Sequence, residues 1–373
     1  MKRMKKALCA VMAGALMLSM ASCASGENPS IQQLPDEFLH PASVACGPTG
    51  DKESSDYQFG FLWGGQSDYY EAMPMMFERA CAELSIPIPM DATPKNWDQQ
   101  EQNVQIDKLL DRNVKGICMM PSEEVRSNDK INELVASGIP VVCIGGAPAQ
   151  PSQCMMTLAT DVYQCAYDAT LTVLDALNYE GNIVAVTGAT TDTNSAKRLQ
   201  GVADACAQYS NVTLLDQIDG ITGESSGLEI VKKLLQERGD EINGVVAMDY
   251  YAAYAMAYCL LSRDAYDHIV CVGIDSDDLV LEAVRRGKML GSMSQNPWAQ
   301  GYLSVYTLKM LTDGWTYKEG QPAIVDTGSF LITRDLVNDF ENRAIELTME
   351  LAATWTDRFN PPADYGEKAG EAS

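Results

Sequence analysis

From Tyr57 onward, short apolar runs alternate with longer stretches in which apolar residues recur at helical spacing. Apolar runs closed by turn residues read as buried strands, and 3.6-residue periodicity reads as amphipathic helix. A first series reads strand Phe59–Trp63, helix Ala72–Leu84, strand Ile86–Met90, helix Asp98–Asp111, strand Gly116–Met120, helix Glu123–Ser137 and strand Pro140–Ile144. Strands and helices in strict alternation predict a parallel, doubly wound sheet. The second strand, Ile86-Pro87-Ile88-Pro89-Met90, carries two prolines and can survive only at a sheet edge. A strand order beginning 2-1-3 puts it there.

Cys154–Leu158 reads as a link into a second, similar series. That series runs helix Val162–Asn178, strand Ile183–Thr187, helix Ser195–Tyr209, strand Val212–Ile218, helix Glu224–Arg238, strand Gly244–Met248 and helix Tyr251–Ser262. Strand His268–Ile274, helix Asp277–Arg286, strand Met289–Met293, helix Pro297–Thr312 and a strand near Ala323–Asp326 follow. Glu341–Phe359 has amphipathic spacing, and Asn360–Ser373 reads as a frayed end. The expected fold is α/β, with two doubly wound, Rossmann-like lobes.

Composition narrows the function. The 373 residues are 46% hydrophobic and 21% charged, enough for two real cores. The formal net charge is −24, although Lys2, Arg3, Lys5 and Lys6 sit in the first 22 residues without an acid. So acidic a body repels phosphate backbones and anionic lipid, which argues against a nucleic-acid partner. Met1–Ser22, with a basic start and an apolar run from Ala7 to Met20, reads as a targeting segment too short to span a bilayer. Ser19-Met20-Ala21-Ser22-Cys23 resembles a bacterial lipobox, which implies a lipidated Cys23 and anchoring by acyl chains. Ala24–Ser55 is polar and rich in Pro, Gly and Ser, as a flexible tether would be. Of 11 cysteines, nine follow Cys23; none forms a CxxC pair, and with two histidines a zinc site is not expected. Nine is odd, so at least one thiol stays free or pairs between chains, and most are expected to be buried.

Candidate chemistry gathers where strands end. Ser67, Tyr69 and Tyr70 follow the first strand, Arg198 lies in the first turn of a helix, Asp249 ends a strand, and Asp275 and Gln295 end two more. In open α/β sheets ligands bind at that edge. Carboxylate and guanidinium forks hold vicinal hydroxyls, and sugar C–H faces stack on aromatic rings. Each residue has a plainer alternative: Asp275 and Asp249 as helix caps, Arg198 as a surface ion-pair partner, Gln295 as a hinge hydrogen bond, and Tyr69 and Tyr70 as core aromatics. Trp63 and Trp298 lie near the same edge and are expected to pack in the core.

From about Tyr57 to Asn338 the chain resembles the type I periplasmic binding proteins, in particular the ribose- and galactose-binding group. The words that carry the resemblance are Ser85 to Asp91, Ala136-Ser137-Gly138-Ile139-Pro140-Val141-Val142, Thr160-Asp161-Val162-Tyr163, Ser195-Ala196-Lys197-Arg198-Leu199-Gln200-Gly201, Val272-Gly273-Ile274-Asp275 and Gln295-Asn296-Pro297, in that order. The resemblance implies two lobes joined by three hinge crossings, near residues 160, 294 and 326, with ligand between them. It divides the chain into a signal peptide (1–22), tether (23–55), N-terminal lobe (56–160 with 295–326), C-terminal lobe (161–294 with 327–338) and a C-terminal helix and tail (339–373). It implies ligand-binding roles for Ser67, Tyr69, Tyr70, Arg198, Asp249, Asp275 and Gln295. Three positions depart from the family: Asp249 stands where Asn followed by Asp is frequent, Gly145-Gly146 where an Asp, often followed by Arg, is common, and Ile221-Thr222-Gly223 replaces an aromatic. The cleft should be roomier at the last two, which disfavours ribose itself.

The resemblance implies an extracytoplasmic solute receptor, lipid-anchored to the cell membrane, monomeric and without cofactor or catalysis, that captures a sugar and delivers it to an ABC permease. A sensor feeding a membrane receptor or kinase is the main alternative. Gly223-Glu224-Ser225-Ser226-Gly227 matches the G-x-S-x-G pattern of a secreted hydrolase. That reading requires a histidine at the same edge, and His268 starts its strand, at the opposite end.

Overall fold

The computed structural model describes residues 52–65, 72–189 and 192–363. The targeting segment, Cys23, nearly all of the tether, and Ser67, Tyr69 and Tyr70 lie outside the described residues. Lys52 already donates to the Thr312 carbonyl, so the last tether residues rest on the folded body.

The first lobe is built from β1 (Phe59–Leu62), α1 (Ala72–Leu84), β2 (Met90–Asp91), α2 (Gln99–Leu110), β3 (Gly116–Met119), α3 (Ser127–Ala136), β4 (Val141–Ile144) and β5 (Met156–Ala159). The second holds α4 (Val162–Ala176), β6 (Gly181–Gly188), α5 (Thr193–Cys206), β7 (Val212–Ile221), α6 (Glu224–Arg238), β8 (Gly244–Ala247), α7 (Tyr250–Ser262), β9 (Val270–Ile274), α8 (Asp278–Arg285) and β10 (Gly291–Gln295). After these come α9 (Pro297–Thr312), β11 (Thr316–Tyr317), β12 (Ile324–Asp326), β13 (Ser329–Ile332), α10 (Phe340–Ala352) and β14 (Phe359–Asn360).

The first sheet has the order β12-β5-β4-β3-β1-β2 and the second β13-β10-β9-β8-β6-β7. Within these two sheets all pairings are parallel except the antiparallel β10–β13 pair. The fold is the expected one, two doubly wound α/β lobes, and the first sheet carries the 2-1-3 order. Only Met90 and Asp91 of the proline-bearing strand pair with β1, because Pro87 and Pro89 have no N–H to donate. Cys154–Leu158 is more than a link: Met156–Ala159 is a full interior strand between β4 and β12. Its sequence is too short for periodicity to separate strand from connection.

Helix α9 is buried on nearly every face, including Trp298, Tyr302 and Tyr306. One side rests on the first sheet and α1, and α10 covers another, with Phe340 edge-on to Trp298 at 6.2 Å. Trp355, just beyond α10, donates from Nε1 to Thr307 Oγ1 at 3.0 Å, and β14 pairs with β11. The C-terminal segment thus leaves the second lobe after β13 and returns to the first. It makes a fourth crossing where three were expected, and Asn360, read as frayed, is paired in β14.

The crossings are bonded to one another. Asn296 donates from Nδ2 to Thr327 O at 2.8 Å, Thr160 Oγ1 donates to Gly328 O at 3.2 Å, and Thr327 N donates to Ala159 O at 2.9 Å. Thr348 of α10 donates to Asn296 Oδ1 at 3.2 Å, which ties in the fourth. The eight cysteines among the described residues are free thiols, and all but the half-buried Cys154 are buried.

Candidate ligand-binding site

Asp275 follows β9 in the left-handed region, with φ at +66°. Few residues other than glycine adopt it, and Asp and Asn are the usual exceptions. Three bonds hold the turn: Asp275 N donates to Met293 O at 2.8 Å, Ser292 Oγ donates to Asp275 O at 2.7 Å, and Gln295 Nε2 donates to Asp275 Oδ1 at 2.8 Å. Asp275 does not cap α8. Asp277 does, accepting from Leu279 N at 2.8 Å, and this leaves the Asp275 carboxylate for other work.

Arg198 is 8% exposed and sits in the second turn of α5 rather than the first, because Asp192 caps that helix and starts it at Thr193. Among the described residues no ion pair holds it. Its Nε has no hydrogen-bond partner among the described residues, while its charge acts on both Asp275 and Asp249. Asp249 caps α7, accepting from Tyr251 N at 3.0 Å and Ala252 N at 3.3 Å, so its capping role is real. Its second oxygen, Oδ2, lies 3.0 Å from where a Cβ on Gly188 would stand. A glycine at the end of β6 therefore leaves room for the carboxylate.

Burial pushes the Asp275 carboxyl up to about 6, with the Gln295 hydrogen bond and Arg198 pulling down and Asp249 pushing up. Burial also raises Asp249, against the pull of Arg198 and of its two backbone donors. Two half-desolvated acids, one buried arginine and one amide thus gather at the carboxyl ends of β6, β8, β9 and β10. Gln295, 8% exposed, is the last residue of β10, and the next residue, Asn296, is the hinge asparagine. A cavity of about 790 Å³ opens beside the group; Asp275, Ser276, Ser294, Gln295 and Trp298 line it, with Ala72 and Met75 from the first lobe.

The facing edge of the first lobe is organised by a buried glutamine. Gln102 of α2 donates to Trp63 O at 3.0 Å and Met120 O at 2.7 Å and accepts from Ser122 N at 3.1 Å, fixing the ends of β1 and β3. Glu124 on this edge accepts from Thr193 Oγ1 of the second lobe, so the two strand-end edges face each other.

Residues 59–315 match the sequence profile of the periplasmic binding protein domain. The chain belongs to that family. Among relatives, it is 24% identical over 201 residues to a xylitol-binding protein of Mycolicibacterium smegmatis, covering 54% of this chain and 57% of that protein. It is 23% identical over 198 residues to a D-apiose import binding protein of Paraburkholderia graminis, covering 53% and 63%. The match therefore spans little more than half of the first relative's length. Among solved structures, a sugar-binding protein of a Bacillus halodurans sugar ABC transporter superposes with a TM-score of 0.69 at 22% identity, over 75% of this chain and 98% of that one.

Four of the seven expected residues meet at one strand-end edge: Arg198, Asp249, Asp275 and Gln295. Ser67, Tyr69 and Tyr70 fall outside the described residues, although Ala72, two positions after Tyr70, lines the cavity. Sequence reasoning passed over Asn296 and Gln300. Asn296 is fully buried and caps α9 through Ala299 N at 3.0 Å. Gln300 is also fully buried, and its Oε1 has no partner among the described residues. The available signal was two amides opening a largely apolar helix. Trp63 and Trp298 are buried, at 7% and 4% exposure. Among the described residues the hydrolase geometry does not form. Ser225 opens α6, whereas His268 Nε2 contacts Gly239 O past the other end of that helix, about 20 Å away at 1.5 Å per residue.

Proposed function

We propose that this protein is an extracytoplasmic solute-binding receptor that captures a sugar or sugar-like molecule between its lobes and hands it to an ABC permease, without catalysing a reaction. The observation that carries this reading is the convergence of Arg198, Asp249, Asp275 and Gln295 on one strand-end edge, beside a hinge of hydrogen-bonded crossings. An arginine fork beside carboxylates supplies both donors and acceptors for a ligand's hydroxyls. Ligand bridging both lobes stabilises the closed arrangement by contacts the open one lacks. The relatives named for xylitol and apiose binding and the sugar-binding structural neighbour support a sugar as the ligand class. In the same reading Met1–Ser22 is removed on export and a lipidated Cys23 holds the protein at the membrane.

Calorimetric titration of the purified protein with pentoses, hexoses and polyols tests the reading. Asp275→Ala and Arg198→Ala are each expected to weaken the best ligand about tenfold or more, the loss of one charge-assisted hydrogen bond. Wild-type affinity in both variants would show that the site has been misplaced.

A further inference from the structure

The cavity beside the polar cluster extends beyond it. Of the four clustered residues only Asp275 and Gln295 line it, and its far wall is the start of α10, from Asn338 to Asn342. Two of the residues that line it hold a buried hydrogen-bonding atom with no partner among the described residues. Trp298 is 4% exposed, and its indole N–H has no partner among the described residues. Asn342 Oδ1 is buried and is likewise without a donor among the described residues. An unpaired buried polar atom is a standing cost, and two on cavity-lining residues are a cost that a bound molecule removes once those side chains turn toward it. One is a donor and the other an acceptor, the pair that a hydroxylated molecule satisfies.

Shape and charge narrow the occupant. Trp298 and Phe340 meet edge to face at 82°, giving an apolar corner for a ring's C–H face. Among the described residues Asp275, Asp277, Asp278, Asp339 and Glu341 line the cavity against one cation, Arg285, which already faces Glu282 and donates to Asn338. A field of that sign repels anions. The volume of about 790 Å³ lies in the upper part of the range of about 300–1,000 Å³ typical of pockets that enclose whole drug-sized ligands.

We propose that the cavity is a second subsite that takes a further sugar unit joined to the one held at Asp275 and Gln295. The preferred solute is then a neutral or amino-bearing disaccharide or glycoside, not a free monosaccharide or an acidic sugar. The inference rests on the sugar-receptor reading above. Trp298 donates to an oxygen of the second unit, Asn342 accepts from one of its hydroxyls, and Phe340 lies against its ring. The departure at Gly145-Gly146 does not enter it, since neither residue lines the cavity.

The test is calorimetric titration of the full chain, and of Trp298→Phe and Asn342→Ala, with matched sets of ligands. The sets are neutral pentoses and hexoses, the neutral disaccharides built from them, and digalacturonate. At least one neutral disaccharide is expected to bind about tenfold tighter than either of its component monosaccharides, and digalacturonate not to bind. Each variant should weaken that disaccharide about five- to tenfold while leaving the monosaccharide within about twofold, the signature of one lost hydrogen bond at the second unit only. The two variants stand on different helices, so misfolding of one leaves the other to decide. Monosaccharides that bind as tightly as every disaccharide, or variants that weaken both classes alike, would overturn the second subsite and leave the sugar-receptor reading intact. Wild type that binds neither class would overturn both.

Discussion

Asp275 and Gly145 occupy matching places in the two lobes. Each follows the fourth strand of its series, each is left-handed (φ +66° and +68°), and each donates its N–H across to the neighbouring strand, to Met293 O and Leu158 O, both at 2.8 Å. The backbone device is repeated, but only one copy carries a side chain. The missing contact in the first lobe is therefore a missing carboxylate on an intact turn, and a Cβ there would stand 3.2 Å from Met120 Sδ. The surviving carboxylate has a measurable signature. Its folded value of about 6 lies above the ordinary 3.8, so between those values the folded chain holds a proton that the unfolded chain has released. Stability attributable to Asp275 then falls as pH rises through that window, and the penalty is complete above about pH 6. Asp275→Asn, which can still accept from Gln295, is expected to stabilise the ligand-free protein at pH 7.5 by on the order of 2 kcal/mol. The advantage should vanish near pH 4. Parallel melting curves for the two proteins from pH 4 to 8 would contradict this account.

At the level of elements, strand ends and helix starts do most of the positioning. Asp98, Asp161, Asp192, Asp249, Asp277 and Asn296 each cap a helix that begins at or near the cleft edge. Of these only Asp249 stands as a cap candidate in the sequence; the cap of α8 was expected at Asp275, and the structure has it at Asp277. What they face was not readable. Asn296 illustrates the difference: it caps α9, donates to Thr327 O and accepts from Thr348, so three segments distant in sequence share one side chain. Asn296→Ala strips the cap and leaves a buried carbonyl without its donor, and is expected to cost about 2–4 kcal/mol in urea unfolding. A loss under about 1 kcal/mol would mean that the hinge does not depend on it.

Across the whole molecule, the C-terminal segment joins the lobes in a way the resemblance did not imply. It departs from β13 in the second sheet, runs past α8, where Arg334 Nε donates to Arg285 O at 3.0 Å, and covers α9 in the first lobe. Trp355 is fully buried at its end, against α9 and beside Phe359. Trp355→Ala is expected to destabilise the protein by about 3–5 kcal/mol, the usual range for a large buried aromatic. Denaturant melts should show it, and a near-neutral result would mean that the segment is an ornament on the first lobe.

Much of this protein was determined by local pattern. The alternation of strand and helix gave both sheets, Pro87 and Pro89 assigned the edge strand, and Asp275, Gln295, Arg198 and Asp249 stood out because polar groups at strand ends are not needed for a core. These signals are local and survive translation into sequence. Tertiary structure decided the rest. Met156–Ala159 became a strand only because β4 and β12 lie on either side of it. Helix α9, with apolar residues on every side, announced that it needs cover on every face. The sequence could not say that the cover is α10, because a non-local contact leaves no periodic trace in either partner. The cavity wall formed by the start of α10 follows from that one packing choice.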